Sequence, residues 1–155
     1  NDYAVIEEIL KSEGKVVVCG GTTASVVARI LGTEMQVDLE TMTPEIPPAG
    51  KIDRVELVTE GVLTINKAIE LIRHYQTPGF NARAMAALNE RNAAAMLAKL
   101  LIENCDKLNM WIGQAVNPAH QKNGFPMDFN FKINQLRELG RLVEKMGKEV
   151  NFIYI

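Results

Sequence analysis

At 155 residues and 17.2 kDa the chain suits one domain, able to bury roughly two thirds of its unfolded surface without a disulfide framework or structural metal. With 47% hydrophobic and 23% charged residues, its composition is that of an ordinary globular protein and argues against disorder. Lys and Arg total 17 against 19 Asp and Glu, and the basic residues are scattered, so the charge pattern gives no footprint for nucleic acid.

Val5, Ile6, Ile9 and Leu10 recur at helical spacing and predict a helix over residues 3–11, broken at Gly14. Residues 15–19, Lys-Val-Val-Val-Cys, are a β-branched run between glycines, the pattern of a strand buried on both faces. Ala24, Val27, Ala28 and Leu31 mark a helix over residues 22–31, closed by Gly32. Residues 35–39 alternate apolar and polar side chains as a second strand, ahead of a Pro-rich loop at residues 43–50. A third strand over residues 55–58 leads to a helix marked by Val62, Ile65, Ile69 and Ile72, which ends near Thr77-Pro78-Gly79.

Residues 81–104 are alanine-rich and predict one long helix over a sheet face. A fourth strand follows at residues 108–116, with Met110 and Trp111 both assigned to the core, and then a polar loop at residues 117–128. Ile133, Leu136, Leu139, Leu142, Val143 and Met146 give a helix over residues 129–146, and the chain closes on a strand at residues 150–155. This alternation predicts an α/β fold: a doubly wound, mainly parallel sheet of about five strands with helices on both faces. The expected order sets the second strand beside the first, followed by the third, fourth and fifth.

In such a sheet the loops that follow strands meet at one edge, where ligands bind. That edge gathers Gly20, Gly21, Thr22 and Thr23 after the first strand, Thr59, Glu60 and Gly61 after the third, and Asn117, His120 and Gln121 after the fourth. The two glycines expose backbone amides and the threonines add hydroxyls at the positive end of a helix, which suits a phosphate or carboxylate; a plain turn with a threonine cap is the alternative. No Walker or dinucleotide glycine spacing is present. Glu60 is placed either to contact a ligand or to act as an acid or base with His120, whereas Thr59 reads as a cap or turn residue. His74 falls late in a helix and reads as a surface residue, and Cys19, ending three valines, reads as packing rather than as a nucleophile.

Cys19 and Cys105 lie far apart with no zinc-type spacing, which fits a reducing, cytoplasmic compartment. The apolar runs are too short to span a bilayer, so no membrane partner is expected. The chain opens on Asn1-Asp2-Tyr3 without a Met, as expected of a piece of a longer protein.

Four segments in order, Val18-Cys19-Gly20-Gly21-Thr22-Thr23-Ala24, Ile46-Pro47-Pro48, Leu57-Val58-Thr59-Glu60-Gly61 and Asn117-Pro118-Ala119-His120-Gln121, resemble the C-terminal region of bacterial serine/threonine phosphatases related to the sporulation stage II protein E. The resemblance runs over most of the chain. It implies a parent phosphatase whose manganese- or magnesium-dependent domain holds two metals on aspartates with an Asp-Gly signature. Asp2, Asp38, Asp53, Asp106 and Asp128 are isolated and none precedes Gly, so no catalytic or metal-binding residue carries over. The implied role is an accessory domain, attached to an N-terminal phosphatase domain, that senses a small anionic ligand and needs no cofactor of its own. Two other readings stay open: a small enzyme using His120 and Glu60 as an acid-base pair, and a docking or homodimerisation module.

Overall fold

The computed structural model describes residues 2–113 and 127–155, and these described residues form an α/β fold with six α-helices and six strands in two sheets. Helix α1 (Asp2–Lys11) precedes β1 (Val17–Cys19), α2 (Gly21–Leu31) and β2 (Gln36–Asp38). A 3-10 turn (Leu39–Thr41), β3 (Ala49–Lys51) and β4 (Leu57–Thr59) follow, and then α3 (Val62–Gln76), α4 (Ala82–Leu88) and α5 (Ala93–Glu103). Strand β5 (Lys107–Ile112), helix α6 (Met127–Lys145) and β6 (Glu149–Tyr154) complete the chain.

Strands β1, β4, β3 and β2 lie side by side in that order, while β5 and β6 form a separate parallel pair. The expected adjacency of the 15–19 and 55–58 strands is present as the parallel β1–β4 pair, and that of the last two strands as β5–β6. The single, mainly parallel sheet is not what the described strands form. Strand β2 sits at the far edge instead of beside β1, because β3 comes between β2 and β4 and runs antiparallel to both. The connections on either side of β3 carry no crossover helix, and without one, sequential strands pair antiparallel.

Ala49-Gly50-Lys51 carries no β-branched or alternating pattern, so nothing local marks a strand at the end of the Pro-rich loop. Gly50 suits the site because a Cβ there would stand 3.2 Å from both Val58 and the Met35 sulfur. Thr41, wholly buried, ties the segment down: its hydroxyl donates to the Asp38 carbonyl and accepts from the Ala49 amide, each at 2.7 Å. Thr41→Val keeps the shape and strips both partners of that bond. It is expected to lower stability by about 1–3 kcal/mol, measured by urea unfolding, because the Ala49 amide stays buried.

Alternation along β1 and β4 splits the core. Leu57 of β4 belongs to the larger cluster, with Val17 and Cys19 packed against it, together with Ile65, Ile69 and Ile72 of α3, Leu97 and Leu101 of α5 and Leu139 and Val143 of α6. Val18 and Val58 face the other way, onto Ala24, Val27 and Ala28 of α2, with Ile6 and Leu10 of α1 behind them. Helices therefore cover both faces of the β1–β4 pair, as the sequence predicts.

Two further expectations need correction. The single helix over residues 81–104 is two helices, broken at residues 89–92. Asn81 and Asn92 each begin one, accepting from the amides of Ala84 (3.0 Å) and Ala95 (2.8 Å), and Arg91 in the break pairs with Asp38 (2.8 Å) and Glu40 (2.7 Å). Trp111 does not join Met110 in the core, since neighbouring residues of a strand point to opposite faces. Met110 and Ile112 face the helices, whereas the other face carries Lys107 paired with Glu149 (3.3 Å) and Asn109 bonded to Asn151 (3.0 Å). Among the described residues no helix is long and apolar enough to cross a membrane.

Candidate functional site at the carboxyl edge of the sheet

Because β1 and β4 are parallel and in register, with Cys19 opposite Thr59, their carboxyl ends stop together. The Gly20 amide then donates to the Thr59 carbonyl at 2.8 Å, which locks the two following loops to one another. Gly20 has φ 128° and ψ 135°, a conformation open to glycine and costly for any residue with a Cβ. The chain needs it to leave the strand and enter α2 at the next residue.

Helix α2 begins bare. Its N-cap is Gly20, which has no side chain to cap it, and no acidic residue lies in its first turn. The first helical bond is donated by the Ala24 amide to the Gly20 carbonyl (3.0 Å), so the amides of Gly21, Thr22 and Thr23, all in exposed residues, have no partner within the helix. The threonines do not act as caps, and among the described residues the only hydroxyl used in this turn is that of Ser25, which donates to the Gly21 carbonyl (3.0 Å). Unsatisfied amides and the helix dipole together leave about half a unit of positive charge at this point.

Helix α3 starts at the same edge in the opposite electrostatic condition. The Glu60 carboxylate accepts from the Thr64 amide (3.3 Å) and hydroxyl (3.4 Å), capping α3 from just outside its first turn. Glu60, read from sequence as a ligand contact or an acid-base group, is thus engaged with its own helix. Thr59 is 2% exposed and its hydroxyl donates to the Glu60 carbonyl at 2.7 Å, an internal role. Gly61 is the N-cap of α3.

A group the sequence reading missed closes the site. Lys132, from α6, brings its Nζ within 4.0 Å of the position a Cβ on Gly20 would take, and its charge reaches the Cys19 thiol. Among the described residues Lys132 makes no ion pair. Burial pushes the Cys19 thiol above its ordinary value, and the neighbouring Thr59 hydroxyl and the Lys132 charge only partly offset it, while Glu60 adds to the rise. Cys19 is therefore held as a thiol, consistent with packing and not with nucleophilic use. One turn along α6 from Lys132, buried Gln135 donates to the Val62 carbonyl (3.2 Å), and its own carbonyl oxygen has no donor among the described residues.

The structure brings Gly20, Gly21, Thr22, Thr23, Thr59, Glu60 and Gly61 to one edge, as the strand-end rule predicts. Asn117, His120 and Gln121 lie outside the described residues. His74 is exposed in the last turn of α3, as read from the sequence. Comparison of the chain with protein-family models, curated proteins and solved structures gives no match.

Proposed function

We propose that this chain is a regulatory, ligand-sensing domain of a metal-dependent serine/threonine protein phosphatase, binding a small anionic or phosphorylated ligand between residues 20–23 and Lys132. Its support is the meeting of two positive groups, a helix amino end whose N-cap is a glycine and an ammonium with no ion pair among the described residues, at the edge where an open α/β sheet takes ligands. An anion between them would satisfy the orphan amides and separate the like charges. The link to a phosphatase rests on the four sequence segments named above.

The metal ions of such a phosphatase find no matching donors among the described residues. Asp38 is engaged by Arg91 (2.8 Å) and Lys51 (3.8 Å), whereas Asp53 and Asp106 stand exposed on separate connections. On this reading, which rests on the sequence resemblance, manganese or magnesium chemistry belongs to an attached N-terminal domain and sensing or positioning to this chain.

Inorganic phosphate is expected to raise the melting temperature of the isolated chain. Roughly a hundredfold excess over the dissociation constant contributes about 2.7 kcal/mol, and each kcal/mol is worth about 2–4 °C at this chain length. Lys132→Ala is expected to remove most of the shift while leaving the ligand-free melting temperature nearly unchanged. An unshifted melting temperature with phosphate, phosphate monoesters and carboxylates alike would overturn the proposal.

A further inference from the structure

We draw no further inference here: the strongest candidate, the exposed apolar patch of Val37, Leu39 and Met42 at the β2 edge of the four-stranded sheet, carries nothing because nothing in the structure shows what covers it.

Discussion

Gly140→Ala is expected to destabilise the protein by about 1–3 kcal/mol, although the same change in an unobstructed helix interior stabilises by about 1 kcal/mol. The sign reverses because α6 lies on β6 at this point. A Cβ on Gly140 would run into the far edge of the Phe152 ring, with Val150 at 3.3 Å beside it. The Phe152 backbone is fixed by pairing with Met110 in the parallel β5–β6 register and its ring packs against the core, so room for a Cβ requires the ring to turn or α6 to move outward. The loss should appear as a melting temperature lower by about 2–4 °C for each kcal/mol. Phe152→Leu, which removes the obstructing edge, should make Gly140→Ala harmless or favourable, giving a double-mutant coupling of about 1 kcal/mol or more. If Gly140→Ala raises stability in the wild-type background, the close α6–β6 contact is wrong.

Gly20→Ala is expected to cost about 1–3 kcal/mol through backbone strain, with no steric clash involved. The nearest atom to a new Cβ is the Lys132 Nζ at 4.0 Å, so space is available, and φ 128° is what an alanine resists. Relief of that strain would rotate the entry to α2 and so shift the amides of Gly21, Thr22 and Thr23 relative to the Lys132 ammonium. Phosphate-dependent stabilisation should therefore fall together with intrinsic stability. Gly21→Ala supplies the contrast: the residue is exposed in the first turn of α2, has no atom within 4 Å of a new Cβ, and lacks positive φ. It is expected to change stability by less than about 1 kcal/mol, in the favourable direction. Equal effects from the two glycines in urea unfolding would contradict the account of the turn.

These two glycines also show what the sequence makes legible and what it hides. The run Val16-Val17-Val18-Cys19 followed by Gly20 and Gly21 announces a buried strand, a sharp turn and a helix start from local chemistry alone, and the structure holds all three. Helices α1 and α3 and strands β4, β5 and β6 were readable in the same way, from apolar period and glycine punctuation. Strand β3 was not, because Ala-Gly-Lys is held by pairing with β2 and β4 and by the Thr41 hydroxyl, not by propensity. The α4–α5 break was hidden by the alanine-rich flanks, although Asn81 and Asn92, each followed by helix formers, carried the capping signal.

At the site, the strand-end rule found the edge and the residues along it, since it needs only the order of strands and loops. It could not assign their work. Glu60 looks in sequence like a ligand group, and only the position of Thr64 in the first turn of α3 reveals a helix cap, whereas Thr59 already reads as a cap or turn residue and its hydroxyl is used internally. Lys132 had no local signal at all. It is one polar residue on an amphipathic helix, and it reaches Gly20 because α6 packs against α3 across the core.

The central claim is that the bare amino end of α2 and Lys132 together hold an anion. The most direct measurement follows the backbone amide resonances of Gly21, Thr22 and Thr23 by NMR as inorganic phosphate is added to the wild-type chain and to Lys132→Ala. The account predicts saturable shifts at these amides, and an affinity in Lys132→Ala lower by roughly tenfold or more, as befits a charge-assisted contact. Amides that do not respond, or that respond identically with and without the Lys132 ammonium, would contradict it.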